Sequence, residues 1–199
     1  MAESRWKSTL YSSDLFVEAC GAIVFDHADC DSDSDSNAST SGPTSGSSGK
    51  VCLLHDTHTD EWVLPKGRRN CSETRQDAAR REVREESGCG IRLRPLRLAT
   101  RAPGEEEPAD VGDVPRVYDG VVEPFMLDVR DLGPRLGVKL VWWFVADRDG
   151  RREEEGQAED RFEVQFVRAE VAVERLTFRR DREVLLRAVE LVQQQEEGA

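Results

Sequence analysis

Apolar residues fall in short blocks along the chain, and most of these blocks read as strands. Phe16 to Phe25 (FVEACGAIVF) is rich in small and β-branched side chains, the pattern of a buried strand. Val51 to His55 (VCLLH) resumes it, and Trp62-Val63-Leu64 is a shorter third segment ended by Pro65. Ile91 to Thr100 (IRLRPLRLAT) alternates apolar and basic positions around Pro95, which predicts a bent or edge strand. Pro124 to Val129 is a further short strand. Val138 to Ala146 (VKLVWWFVA) is apolar at nearly every position, as expected of a strand covered on both faces. Arg161 to Val167 (RFEVQFV) alternates cleanly.

Helical periodicity appears in three places. A loop over 65–72 leads into a helix over about residues 73–88, with Ser72 as the expected N-cap, Glu73 in the first turn and Gly88 as the C-cap. Glu170 to Leu176 reads as a short helix. Between Asp181 and Gln194, Val184, Leu185, Ala188, Leu191 and Val192 recur at helical spacing and predict an amphipathic helix. Strands, a helix, more strands and then helices follow one another without regular βαβ alternation. A mixed sheet with helices on two faces fits that order.

Polar stretches separate the blocks. Asp26 to Lys50 has almost no large apolar side chain and cannot offset its own ordering entropy, so 27–49 reads as a disordered insertion. It replaces the turn of a hairpin, and each doubling of loop length adds only about 0.6 kcal/mol. Its DSDSDS run reads as a passive acidic spacer, with phosphorylation by an acid-directed kinase as the alternative. Mobile loops are expected over 101–120 and 147–160, and residues 1–199 as one domain.

Net charge changes the picture of partners. At −12, with a pI near 4.8, the chain has no general attraction for nucleic acid or anionic membranes. A phosphate ligand would need metal ions and a local basic patch. The five cysteines show no CxxC spacing, which argues against a disulfide framework or a zinc site and for reduced thiols in the cytoplasm or nucleus. The first residues lack an apolar signal segment, and no apolar run approaches the ~20 residues of a membrane span.

The chemistry concentrates between Leu64 and Cys89. The loop Leu64-Pro65-Lys66-Gly67-Arg68-Arg69 is basic within an acidic chain, and Lys66, Arg68 and Arg69 suit a ligand with several phosphates. On the helix, Glu86 lies about +40° and Glu85 about −60° from Glu82, so three carboxylates share one arc. They border the stripe of Ala79 and Val83 that must face the sheet. Like charges at this spacing repel, and a hard cation removes that cost. A solvated acidic face paired with Arg75, Arg80, Arg81 and Arg84 would be the plain alternative.

The full spacing runs from Gly67 through five residues to Glu73, then seven residues to Arg81-Glu82-Val83-Arg84-Glu85-Glu86-Ser87-Gly88. It resembles the signature of the Nudix hydrolase family at every charged and glycine position, with Cys89 where an aliphatic residue is usual. The resemblance implies an α/β/α sandwich around a mixed sheet, and Mg2+ or Mn2+ held by the Gly67 carbonyl, Glu82 and Glu86. It implies Glu85 as a further metal ligand or the general base, Arg81 as the group that orients the carboxylates, and Glu73 as its partner. An additional acid from a later loop is expected, with Glu154, Glu155, Glu159 and Glu163 as candidates. The Leu-Pro-Lys-Gly opening and Leu176-Thr177-Phe178…Asp181…Val184 resemble the branch acting on diadenosine and diphosphoinositol polyphosphates. Other branches act on ADP-ribose, nucleotide sugars or capped RNA, and a non-catalytic phosphate-binding module is the alternative from another class. Of Trp142 and Trp143, adjacent in a strand, at most one can face a pocket. The three histidines and Cys71 are read as ordinary surface, loop or thiol positions.

Overall fold

The computed structural model describes residues 5–27, 49–104, 106–108, 110–150 and 158–198. Two long strands form its centre, β1 (Phe16–Asp26) and β9 (Val138–Arg148). They run parallel from the Phe16–Val138 pair to the Phe25–Asp147 pair. Apolar side chains on both faces make this possible. Ala19, Ile23 and Phe25 with Val141, Trp143 and Val145 point to one side, and Cys20, Ala22 and Val24 with Phe144 and Ala146 to the other.

The other strands add to this pair. β2 (Lys50–Asp56) meets β1 antiparallel at Phe25–Val51 and Asp26–Lys50, the expected hairpin partners. β2 then takes β10 (Phe162–Arg168) and β3 (Glu61–Val63) as antiparallel partners. β4 (Lys66–Arg68) fills the place beside β1 that β2 leaves, pairing Cys20 with Gly67. β5 (Ile91–Leu93) and β8 (Met126–Asp131) pair antiparallel with β9. A separate ribbon joins β6 (Leu96–Thr100) to β7 (Arg116–Val121).

Among the described residues, three helices cover the sheet. α1 (Arg75–Ser87) packs Ala78, Ala79 and Val83 on one face. α2 (Ala169–Arg175) and α3 (Arg179–Glu197) place Ala172, Val184, Leu185, Ala188, Leu191 and Val192 on the other. The expected α/β/α sandwich around a mixed sheet is therefore present. Among the described residues no helix is long and apolar enough to cross a membrane.

Several expectations change in detail. The 65–72 segment is not all loop, because β4 lies within it. The N-cap of α1 is Thr74, whose Oγ1 accepts from the Asp77 N–H at 3.1 Å, and not Ser72. Ser72 has φ +64°, whereas an N-cap needs extended backbone. Gly88 is the C-cap as read, at φ 70° with its N–H donating to the Arg84 carbonyl at 2.8 Å. Pro95 divides 91–100 into β5 and β6, which belong to different sheets. β7 occupies 116–121, within a stretch expected to be loop. Most of the 27–49 insertion, Cys30 and residues 151–157 of the second loop lie outside the described residues.

Asp56 ends β2 as a buried carboxylate. It accepts from Arg161 Nε at 2.9 Å, from Arg161 Nη2, and from the His58 N–H at 3.0 Å. The Arg161 bonds hold its pKa well below the usual carboxylate range, with burial opposing. A depressed folded pKa means this stabilisation is present above the unfolded value of about 3.9 and fades as pH falls toward the folded one. Asp56→Asn is expected to lower the unfolding free energy by about 1–2 kcal/mol at pH 7. Urea titrations across pH should show the difference from wild type narrowing below about pH 4.

Candidate active site

Two glycines let the chain pack tightly here. A Cβ on Gly21 would lie 2.5 Å from the Pro65 carbonyl oxygen and 2.8 Å from the Trp143 ring, so β4 can reach β1 only because that position is bare. A Cβ on Gly67 would lie 1.7 Å from Glu82 Oε2. The backbone of β4 thus runs directly against a helix carboxylate. Gly67 faces α1, and its strand neighbours Lys66 and Arg68 alternate to the opposite side.

Arg81 organises the carboxylates. Its Nε and Nη2 grip Glu73 in a two-pronged pair at 2.8 and 2.9 Å. Nη1 donates to Glu82 Oε1 at 2.7 Å and Glu85 Oε2 at 2.9 Å, and Nη2 also donates to the Arg68 carbonyl at 2.9 Å. These bonds use every N–H the guanidinium has, which a lysine could not reproduce. Glu73 precedes the helix instead of sitting in its first turn, and it also accepts from the Asn70 N–H at 2.8 Å.

The carboxylates do not share one environment. Glu82 and Glu86 are buried, while Glu85 is exposed. Burial raises the Glu82 pKa even against Arg81. Burial also pushes Glu86 up to about 7, against the opposing Lys66 charge and the Lys66 N–H, which donates to Glu86 Oε2 at 2.7 Å. Glu82 and Glu159 add repulsion. Among the described residues no three His, Cys, Asp or Glu side chains gather as a complete metal cage. The donor set nonetheless suits a hard divalent cation, which needs only one or two protein carboxylates and would favour the ionised form that burial opposes.

Of the candidate additional acids, Glu159 comes to the site. Its N–H donates to the Glu85 carbonyl at 3.0 Å, and its charge acts on Glu86. Glu163 turns away to His55, at 3.3 Å, and Glu154 and Glu155 lie outside the described residues.

The basic loop divides. Lys66 faces the α3 side and lines a cavity with Glu86. Arg68 is exposed beside it. Arg69 is drawn the other way, donating to Glu18 Oε2 at 2.9 Å and to the Glu73 carbonyl at 2.8 Å. Glu18 also accepts from Arg75 at 2.7 Å and from the Trp142 indole at 2.9 Å. Trp142 lies under the Arg75 guanidinium and Trp143 is fully buried.

Sequence reading missed Lys139 and Arg130, paired across β8 and β9. Lys139 is half-buried. Burial lowers its pKa most, followed by the charges of Lys66, Arg130 and Arg68. Lys66, Arg130 and Arg68 therefore all act on Lys139. A lone lysine in the otherwise apolar VKLVWWFVA was the signal that could have exposed it.

Known proteins share this fold. The NUDIX domain family profile matches residues 38–189, and the chain belongs to that family. An 8-oxo-(d)GTP phosphatase of Mycolicibacterium smegmatis is 34% identical over 84 residues, covering 41% of this chain. The matched region spans only 23% of that protein's length. A NUDIX-family hydrolase from Clostridium perfringens superposes with TM-score 0.52 at 13% identity, over 92% of this chain and 99% of its own. An Ap4A hydrolase of C. elegans gives 0.50 at 15% identity, over 87% and 96%. At these identities the two structures establish a common fold.

Gly67→Ala is expected to push Glu82 from its place and cut the rate of the proposed hydrolysis by about a hundredfold, the usual effect of a misplacement near 1 Å. Steady-state rates, compared with a thermal unfolding midpoint, separate that loss from unfolding.

Proposed function

We propose that the chain is a Mg2+- or Mn2+-dependent pyrophosphohydrolase that cleaves a diadenosine or diphosphoinositol polyphosphate. The observation that carries this reading is a group of cations, Lys66, Arg68 and Arg130 acting on Lys139, with Lys66 and Arg130 on the wall of one cavity with the buried Glu86. The chain as a whole is strongly acidic, so a local basic group of this kind favours a ligand with several phosphates.

Gly67, Glu82 and Glu86 would hold the ion, which leaves Glu85 for the role of base. When bound, the ion neutralises phosphate charge and lowers the pKa of a water. Lys66, Arg68 and Lys139 hold phosphate oxygens and fix the anhydride for in-line attack. Arg69, engaged by Glu18, steadies the loop. Arg81 keeps Glu82 and Glu85 aimed at the reacting centre. Glu85, exposed and held through one oxygen, takes the proton from the water as it adds to phosphorus. The anhydride P–O bond breaks and the leaving phosphate departs with its electron pair. The free thiols of Cys20, Cys52 and Cys71 accord with a cytoplasmic or nuclear setting. Both apolar clusters lie on faces of one sheet, which supports one domain.

Identity to an 8-oxo-(d)GTP phosphatase favours a second reading, hydrolysis of a nucleoside triphosphate. A panel of diadenosine polyphosphates, diphosphoinositol phosphates, nucleoside triphosphates, ADP-ribose, nucleotide sugars and capped RNA distinguishes them. The proposal predicts phosphate-containing products from the first two classes, released with Mg2+ or Mn2+ and suppressed by a chelator. Glu85→Gln and Glu86→Gln should each lower the rate by about a hundredfold or more. Rates within about threefold of wild type in both variants would contradict the proposed site.

A further inference from the structure

Glu18 is the single charged residue in the apolar run FVEACGAIVF of β1. It pairs with Leu140 of β9, so its backbone belongs to the most tightly fixed part of the sheet. Its side chain is 11% exposed and shares the α1 face with Cys20. Oε2 accepts from Arg69 Nε and Nη2, both at 2.9 Å. Oε1 accepts from Arg75 Nε at 2.9 Å, Arg75 Nη2 at 2.7 Å and the Trp142 indole at 2.9 Å. Burial opposes the charge of Glu18, but the bonds from Arg75 and Trp142 and the arginine charges outweigh it and hold the pKa below its ordinary value. Stability does not explain so much charge in one place. Paired charges taken out of water gain little over apolar side chains of the same size. The arrangement does fix the position of Arg69.

Arg69 carries that constraint to the carboxylates of α1. Its Nη1 donates to the Glu73 carbonyl at 2.8 Å and to the Asn70 carbonyl at 3.3 Å. These bonds close the loop over 69–73, in which the Asn70 N–H donates to Glu73 Oε2 at 2.8 Å. Glu73 grips Arg81, and Arg81 grips Glu82 and Glu85. The loop needs this support. Ser72 within it has φ +64°, a left-handed backbone that a non-glycine residue keeps only where its surroundings impose it. The loop also borders a cavity of about 530 Å3 with Glu18, Arg69, Glu73, Thr74, Arg75 and Gln76 in its wall, so polar bonds and not apolar packing hold it.

We propose that Glu18 is a positioning residue of the hydrolytic site, acting through Arg69 and Glu73 to keep Arg81 and Glu82 in place for the metal ion. It touches neither the ion nor the substrate. The inference rests on the reading of Gly67, Glu82 and Glu86 as the ion's ligands, and it extends the site to a strand outside the Gly67–Gly88 signature. It also accounts for the division of the basic loop. Lys66 and Arg68 are left for phosphate, while Arg69 serves the carboxylates.

The test is Mn2+ binding to the full-length protein, followed by the electron paramagnetic resonance of the free ion, so it does not depend on turnover. Glu18→Gln keeps the shape of the side chain and removes its charge. It should weaken Mn2+ binding about tenfold, the lower end of the effect of groups that orient metal ligands. Arg69→Gln should do the same. The double variant should bind no more weakly than either single one, because both changes interrupt one chain of contacts. Trp142→Phe removes a different donor from Glu18, leaves Arg69 held, and should bind Mn2+ as wild type does. Thermal unfolding midpoints separate these losses from unfolding. Arg69→Gln leaves Glu18 its Arg75 and Trp142 donors, so it carries the test if Glu18→Gln does not fold. Wild-type affinity in the folded variants, losses that add in the double variant, or an equal loss in Trp142→Phe overturns the proposal. Wild type that binds no Mn2+ overturns the metal-site reading itself, and this inference with it.

Discussion

The close approach of the Gly67 backbone to the Glu82 carboxylate fixes the geometry of the whole site. A side chain at position 67 would overlap that carboxylate, so β4 can touch α1 only through a glycine. The Cys20–Gly67 pairing binds the same residue to β1, and β1 is bound along its length to β9. Loop, helix and sheet therefore meet at one point. The buried faces of β1 and β9 hold that point still, since well-packed interiors resist small displacements.

Electrostatics then sets a problem that the fold only partly solves. Glu82 and Glu86 are carried into the core by the helical stripe of Ala79 and Val83, and burial disfavours their charge. Arg81 supports Glu82 and Glu85 but makes no bond to Glu86, whose carboxylate accepts from the Lys66 N–H. The opposite side of β4 is basic. Repulsion among carboxylates on one side and among cations on the other are complementary: a metal ion suits the first and phosphate oxygens the second.

Much of this was legible in the sequence, because it depends on local spacing. The arc shared by Glu82, Glu85 and Glu86 follows from 3.6 residues per turn, and the layers follow from where apolar periodicity changes. What was not legible depends on pairing between distant segments. Arg130 and Lys139 become neighbours only because β8 pairs with β9. Arg69 looked like one more cation of the loop until Glu18, on another strand, claimed it. The Ser72 cap failed for a local reason: the backbone turns left-handed there and moves the helix start to Thr74.

The central claim is that Gly67 and the buried carboxylates form a metal site. The most direct measurement is diffraction from crystals grown with Mn2+, recorded at the manganese absorption edge. The account predicts an anomalous peak within coordination distance of the Gly67 carbonyl, Glu82 and Glu86. A peak held by other carboxylates, or none at millimolar Mn2+, would contradict it.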